Sequence, residues 1–275
     1  MALTIRSTVK LNNGVEMPQF GLGVWQIPAG APTRRAVKAA LEAGYRLIDT
    51  AKFYGNEADV GAAVRESGLP RDEVFITTKL WNDDHGYETA LAAFESSRKR
   101  LGFPTVDLYL IHWPVPGLRR ETWRAFERIL REGTARAIGV SNYMVPHLEE
   151  LLASAEVAPA VNQIELSPFL YPRDVVEFCE RRKIAVEAYS PLTKGHRLRD
   201  PRLGGIAQTY RKTVPQVLIR WGLQHGFIEI PKSAKPEHIK ENADVFDFEL
   251  RIEDMRTLDS LGEGLHMAWD PTGEP

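Results

Sequence analysis

Four side chains capable of proton exchange follow three successive apolar segments of the chain. Asp49 follows the run 45–48, and Tyr54 comes five residues later. Lys79 ends the run 74–79, and His112 ends the run 106–112. Each short apolar run predicts a buried strand, so each strand end delivers a group that can give or take a proton. A helix cap or a structural salt bridge would explain any one of them alone, but repetition at three strand ends favours a catalytic site.

Apolar runs alternate with segments of helical periodicity along the chain. Eight runs predict strands, at 20–25, 46–50, 74–80, 106–112, 135–141, 160–166, 184–190 and 227–230. Strands without a polar face indicate a parallel sheet buried on both sides. Eight units of strand and helix therefore predict a (β/α)8 TIM barrel of the α/β class.

Segments before and after the eight strands are expected to form structure of their own. Asn12-Asn13-Gly14 predicts a tight turn, and hence an N-terminal β-hairpin formed by residues 4–10 and 14–17. Thr33 is expected to cap the first helix. The tail 262–275 is rich in glycine and proline and carries Trp269. It is expected to form a C-terminal loop over the barrel mouth, with a frayed end as the alternative.

An open, doubly wound sheet is the competing architecture, because Gly21-Leu-Gly23 invites a dinucleotide-binding interpretation. Gln26 stands where that fingerprint has its third glycine. No predicted helix begins directly afterwards, as the fingerprint requires. The glycines therefore favour a barrel strand over a Rossmann turn.

Length and composition limit the classes of protein that fit. The 275 residues are 43% hydrophobic, which suits a single domain over residues 1–275. A formal net charge of −2 provides no broad positive field, so neither nucleic acid nor a membrane surface is an expected partner. The single cysteine, Cys179, lies in a helical pattern and is expected to pack in the core. Without a signal sequence or a run of about 20 apolar residues, we expect a cytoplasmic protein. A monomer is also expected.

Seven motifs, in order, resemble the aldo-keto reductase family. They are Gly44-Tyr-Arg-Leu-Ile-Asp-Thr-Ala51, Tyr54-Gly-Asn-Glu57, Ile111-His-Trp-Pro114, Gly139-Val-Ser-Asn142, Val161-Asn-Gln-Ile-Glu165, Ala188-Tyr-Ser-Pro-Leu192 and Ile230-Pro-Lys-Ser233. The resemblance covers nearly the whole chain. Within the family, the chain is most similar to the bacterial 2,5-diketo-D-gluconate reductase branch.

The resemblance implies reduction of aldehydes and ketones by a nicotinamide cofactor, with a catalytic tetrad at Asp49, Tyr54, Lys79 and His112. Hydride transfer to a carbonyl carbon leaves negative charge on the oxygen, so a proton donor must meet that oxygen. Tyr54 is the expected donor, and the charge of Lys79 would make its proton available. Asp49 would hold Lys79, and His112 would orient the carbonyl.

The resemblance also implies a cofactor site after the later strands. Ser141, Asn142 and Gln163 would hold the nicotinamide carboxamide, and Tyr189 would stack on the ring. Ser190, Leu192 and Lys194 would lie near the pyrophosphate, Lys232 and Ser233 near an adenosine phosphate, and Glu241 and Asn242 at the adenine end.

One position departs from the family pattern. His238 stands where the family has an arginine, which would give a permanent charge to a 2′-phosphate. A histidine is mostly neutral at pH 7 and could instead stack on adenine. Since Lys232 and Ser233 still favour a phosphate, NADPH is the expected cofactor, with NADH also plausible.

The substrate is expected to be a small carbonyl compound, such as a keto-sugar or an α-keto ester. Trp25, Trp81 and Trp113 are predicted to wall its pocket, because tryptophans that end or follow a barrel strand would face the barrel mouth. Trp269 of the tail is a further candidate for the pocket wall. A cofactor-binding regulatory or sensor subunit is the alternative function. A metal-dependent barrel hydrolase is a third, but no two histidines have the spacing of metal ligands, so no metal site is expected.

Overall fold

The computed structural model describes residues 3–273, and eight parallel strands form its centre. An antiparallel hairpin comes first, formed by β1 (Thr8–Lys10) and β2 (Glu16–Pro18). The barrel strands are β3 (Leu22–Gly23), β4 (Leu47–Asp49), β5 (Phe75–Leu80), β6 (Val106–Ile111), β7 (Ala135–Ser141), β8 (Val161–Glu165), β9 (Ala185–Tyr189) and β10 (Ile228–Glu229). Each pairs with its neighbour in the sequence, so the order follows the chain.

Helices follow the strands and cover the outside of the sheet. They are α1 (Ala31–Glu42), α2 (Glu57–Glu66), α3 (Tyr87–Leu101), α4 (Arg119–Arg131), α5 (Val145–Leu152), α6 (Arg173–Arg181), α7 (Pro201–Tyr210), α8 (Val214–Gln224), α9 (Pro236–Ala243) and α10 (Ile252–Asp259). None of the helices within residues 3–273 combines the length and the apolar character of a membrane span.

Backbone hydrogen bonds close the sheet into a barrel. The amide of Gly21 donates to the carbonyl of Glu229 at 2.9 Å, and the amide of Glu229 donates to the carbonyl of Gln19 at 2.9 Å. Parallel bridges at Phe20 and Gly23 join the first strand to the last. The predicted (β/α)8 fold and its N-terminal hairpin are therefore confirmed.

The barrel is closed at the amino ends of its strands and open at their carboxyl ends. Leu11 and Met17 of the hairpin pack with Leu47, Phe75 and Val161, which are the first residues of three strands. Side chains two residues apart on a strand face the same side, so Asp49 points into the barrel like Leu47. The carboxyl-end rim is consequently the place where side chains from different strands can meet around an open space.

The expectation for Thr33 is wrong. Helix α1 begins at Ala31 after Gly30, whose φ of 85° suits glycine, so Thr33 lies inside the first turn. Its hydroxyl donates to the carbonyl of Pro28 at 2.8 Å instead of capping the helix. Pro32 explains the earlier start, because its fixed φ suits the first turn of a helix.

Glu229 faces outward from β10 and is fully buried without a hydrogen-bond partner for either carboxylate oxygen among residues 3–273. It packs so closely on Gly222 of α8 that a Cβ there would lie 1.6 Å from its Oε1. Burial raises the pKa of Glu229 well above its ordinary value. The carboxyl is therefore protonated in the folded protein over a pH range in which it ionises in the unfolded chain.

Replacing Glu229 by methionine, which has similar length and no charge, should stabilise the protein at pH 8 by about 1–3 kcal/mol. A raised folded-state pKa lowers stability as pH rises above the unfolded value of about 4.3. The gain should therefore shrink as the pH approaches 4. Urea unfolding of both proteins at several pH values measures the difference in the free energy of unfolding. Equal stabilities at pH 8 would contradict a buried Glu229 carboxyl without a partner.

Candidate active site

Asp49, Lys79 and Tyr54 meet at the carboxyl ends of β4 and β5. The ammonium of Lys79 donates to both carboxylate oxygens of Asp49 at 2.7 Å and to the carbonyl of Thr50 at 3.0 Å. It also lies 3.2 Å from the hydroxyl of Tyr54. A short 3₁₀ turn, Lys52–Tyr54, returns the tyrosine over the strand ends, and Gly55 follows it with φ of 69°. Two adjacent strands and one turn thus form a chain of contacts from carboxylate to ammonium to phenol.

The surroundings set the charge of these groups. Burial lowers the pKa of Lys79, but the charges of Asp49 and Tyr54 outweigh it, so the pKa lies above its ordinary value and the side chain stays cationic. Removal of the phenol from water raises the pKa of Tyr54 to about 12, although the charge of Lys79 opposes this. We expected Lys79 to ease release of the phenolic proton. Its effect has that direction, but burial exceeds it, so Tyr54 is fully protonated at neutral pH.

His112 completes the group from the end of β6. Its ring meets that of Tyr54 edge to face, with the ring centroids 5.7 Å apart. Burial, followed by the charge of Lys79, lowers the pKa of His112 well below its usual value. The imidazole is therefore neutral at pH 7 and can still donate one N–H to a bound oxygen. The four predicted catalytic residues lie together.

Ser141, Asn142, Gln163 and Tyr189 line the same opening and form several hydrogen bonds with one another. Ser141 Oγ donates to the backbone carbonyl of Gln163 at 2.8 Å. The hydroxyl of Tyr189 donates to Asn142 Oδ1 at 2.8 Å, and Asn142 Nδ2 donates to the carbonyl of His112 at 2.9 Å. The predicted cofactor residues and the predicted catalytic residues are thus linked through Asn142.

One cavity of about 920 Å³ contains almost every residue predicted for the site. Its lining includes three of the four predicted catalytic residues, and the fourth, Lys79, lies buried beneath it. All predicted cofactor and substrate positions also line it, namely Ser141, Asn142, Gln163, Tyr189, Ser190, Leu192, Lys194, Lys232, Ser233, His238, Glu241, Asn242, Trp25, Trp81, Trp113 and Trp269. The volume accommodates a large ligand beside a small one.

Aromatic rings form two walls at the catalytic end of the cavity. Phe53 stacks on Trp81 with centroids 3.7 Å apart and on Trp25 at 5.3 Å. Trp113 and Trp269 pack against each other with centroids 5.0 Å apart. All five rings line the cavity, so this end of it has a largely uncharged, aromatic surface.

The C-terminal tail is fastened over the barrel mouth by Glu165, which ends β8. Its two carboxylate oxygens accept hydrogen bonds from the backbone N–H groups of Met267 and Ala268, at 2.8 and 3.0 Å. Lys194 donates to the carbonyl of Met267 at 2.6 Å. The expected loop over the mouth is therefore present up to residue 273, while residues 274 and 275 lie outside the described residues. These bonds place Trp269 in the pocket wall.

Sequence reasoning missed two acids of this site, Glu165 as an anchor of the tail and Glu187. Glu187 is buried at the centre of β9, and its Oε2 accepts from Gln163 Nε2 at 2.8 Å. Its spacing of two residues from Tyr189 places both on the inner face of the strand. That spacing was the available signal for Glu187.

The fold and the site together define an α/β-barrel enzyme with an acid–base group beside a large ligand cavity. The chain belongs to the aldo/keto reductase family, whose pattern matches residues 19–263. It is an NAD(P)H-dependent oxidoreductase that acts on carbonyl compounds. Within residues 3–273, no cluster of three or more His, Cys, Asp or Glu side chains is arranged to hold a metal ion.

Individual relatives align with this chain over almost their full length. The glyoxal reductase of Bacillus subtilis (strain 168) is 51% identical over 271 residues, which cover 98% of each chain. The crystal structure of an aldo/keto reductase from Brucella melitensis shares 50% identity and a TM-score of 0.89, covering 92% of this chain and 98% of that one. A Gox0644 mutant crystallised in complex with NADPH is 43% identical, with a TM-score of 0.91 and coverage of 98% and 99%. The narrower resemblance to 2,5-diketo-D-gluconate reductases stays a prediction.

Proposed function

We propose that this protein reduces small aldehydes and ketones to alcohols with NADPH, and that Tyr54 is the proton donor. The observation that carries the proposal is the position of Lys79, whose ammonium contacts both Asp49 and the Tyr54 hydroxyl beneath an aromatic-walled cavity. A phenol supported in this way can deliver a proton where negative charge develops on a carbonyl oxygen.

Each residue has one task in this reaction. A bound reduced nicotinamide would supply the hydride that the carbonyl carbon receives. Tyr54 gives its proton to the carbonyl oxygen, and Lys79 stabilises the negative charge then left on the phenol. Asp49 keeps Lys79 in place. His112, being neutral, donates a hydrogen bond that orients the carbonyl without adding charge.

The residues around the cavity fit a nicotinamide dinucleotide. Gln163 Nε2 donates to Asp49 at 2.9 Å as well as to Glu187, which leaves the amide oxygen for a carboxamide N–H. Tyr189 would supply a flat surface for the ring. Lys194 and Lys232, at the other end, provide positive charge for phosphates. These contacts support NADPH, with NADH as a second cofactor.

Replacing His238 with arginine should raise the affinity for NADPH about threefold to fivefold, because an exposed ion pair contributes up to about 1 kcal/mol. His238 is exposed at the cavity edge, so a guanidinium there can reach a phosphate without being buried. NADH lacks the 2′-phosphate, and its affinity should change little. Fluorescence titration with both cofactors measures the ratio, and His238→Gln is the neutral control. Equal gains for NADPH and NADH would contradict a phosphate contact.

Small carbonyl compounds are the proposed substrates. The residues of the two aromatic walls are uncharged, which favours neutral molecules such as keto-sugars, α-keto esters and simple aldehydes. The glyoxal reductase relative adds small dicarbonyls to this set. We propose that the enzyme works as a single-domain, cytoplasmic monomer.

Loss of NADPH absorbance on addition of each substrate tests the function. We expect turnover with at least one carbonyl class and formation of the matching alcohol. A sensor or regulatory subunit would instead bind NADPH tightly and turn over none of the panel. That outcome would reject the reductase proposal.

A further inference from the structure

A second buried carboxyl lies beneath the active site. Glu187 is fully buried on β9, directly opposite Gln163 of β8 in the strand pairing. Gln163 Nε2 donates one hydrogen to Glu187 Oε2 at 2.8 Å and the other to Asp49 Oδ1 at 2.9 Å. Oε1 of Glu187 has no partner in the part of the chain that the structure describes. One amide thus bridges the carboxyl of Glu187 and the carboxylate that holds Lys79.

We propose that Glu187 is a positioning residue of the proposed reduction: as a neutral acid it fixes the amide of Gln163 and leaves Asp49 as the single negative charge beside Lys79. The proposal rests on the proposed function.

The charges around Glu187 favour its neutral form. Asp49 faces it from β4, Lys79 from β5 and the amide of Gln163 from β8, while Tyr54 lies beyond Lys79. Lys79 already binds both oxygens of Asp49. A second carboxylate would therefore leave uncompensated negative charge in a buried space. Burial, and then the charge of Asp49, raises the pKa of Glu187 to about 8.

The orientation of Gln163 follows from these neighbours. The NH₂ group of Gln163 must face Asp49, because that carboxylate would repel the amide oxygen, and an oxygen of neutral Glu187 accepts the second hydrogen. The oxygen is then the atom available to the cavity that Gln163 lines. Loss of the Glu187 acceptor would free the amide to turn, and a weaker hold on the cofactor should follow.

Ionisation of Glu187 should slow the reduction. Negative charge at Glu187 raises the pKa of Tyr54, which makes the phenol a poorer proton donor. Since the neutral fraction of an acid with a pKa of about 8 falls about tenfold between pH 7 and pH 9, kcat of the wild-type enzyme should fall by about that factor.

Glu187→Gln is the central variant, because it keeps the shape and cannot ionise. With each protein normalised to its own kcat at pH 7, the variant should lose less than about twofold at pH 9. Glu229→Gln removes a buried carboxyl that faces away from the site and should retain the wild-type pH profile. Glu187→Leu cannot accept from Gln163, and its KM for NADPH should rise about fivefold to tenfold. The same pH profile in wild type and Glu187→Gln would overturn the inference.

Infrared spectroscopy of the protein without cofactor separates this inference from the function. The difference between wild type and Glu187→Gln at pH 7 should contain the carbonyl stretch of a protonated carboxylic acid, which disappears as pH passes about 8. Absence of that band at pH 7 overturns the inference even if the enzyme reduces carbonyls. Presence of the band without turnover of any substrate supports a neutral Glu187 and rejects the reductase function.

Discussion

Replacing Tyr54 with phenylalanine should lower kcat for carbonyl reduction by about 10²–10⁴-fold, which is the usual contribution of a positioned general acid. The phenol is the group that joins Lys79 to the cavity, since its hydroxyl lies 3.2 Å from the ammonium. Without it, the developing alkoxide has only the neutral His112 as a donor. Single-turnover kinetics with NADPH and an aldehyde measure the chemical step directly.

The ring of Tyr54 should keep its place in this variant. It packs on Trp25 with centroids 4.8 Å apart, and Lys79 lies 4.9 Å from its centre. The affinity for NADPH and the melting temperature should therefore stay close to the wild-type values. Tyr109→Phe is the matched control, because that buried phenol packs on Phe126 away from the cavity. A Tyr54→Phe enzyme within tenfold of wild type would exclude Tyr54 as the proton donor.

The barrel, and the meeting of the catalytic side chains at its rim, could be predicted because each strand appears in the sequence as a nearly continuous apolar run. Parallel strands buried on both sides need that pattern, and a barrel brings all their carboxyl ends to one rim. Asp49, Lys79 and His112 could therefore be placed together from their positions alone. The strand limits were less accurate. The first predicted strand, 20–25, is regular only at Leu22–Gly23, and isolated bridges supply the rest of its pairing.

Three acids within apolar strands show where the sequence stops being informative. Asp107 forms ion pairs with Arg71 and Arg136, whereas Glu229 packs against α8 without a partner among the described residues. Glu187 lies beside the catalytic group. The alternation of faces along a strand separates Glu187, which shares the inner face with Tyr189, from the other two. Its distance from Asp49 could not be read in this way, because it depends on how the sheet curls to bring β4 towards β9.

The role of Gln163 also needed coordinates. The resemblance implied that Gln163 would help to hold the nicotinamide carboxamide, but it did not say which end of the side-chain amide would do so. In the structure the nitrogen bridges two carboxyl groups, so only the oxygen is left for a ligand. Whether the nitrogen or the oxygen of the Gln163 amide is free for a ligand depends on its neighbours, Asp49 and Glu187. These residues come from β4 and β9, which are far apart in the sequence.

Replacing Lys79 with methionine should destabilise the protein by about 3–5 kcal/mol and abolish turnover. Lys79 is fully buried and is the cation that Asp49 contacts with both oxygens. Removing one partner of such a pair leaves the other charge buried without compensation, which accounts for the loss of stability. Methionine keeps an unbranched chain as far as the Cε position and lacks only the ammonium, so a large cavity does not contribute. Urea unfolding at pH 7 measures the change in free energy.

The double variant Lys79→Met with Asp49→Asn separates a catalytic pair from a structural one. Asparagine has the shape of aspartate without its charge, so the double variant should recover most of the stability lost in Lys79→Met. A purely structural salt bridge predicts that turnover returns with stability. The proposed reaction predicts a folded, inactive enzyme, because the ammonium that stabilises charge on Tyr54 is still missing. Substantial turnover by the stable double variant would therefore reject the assigned role of Lys79.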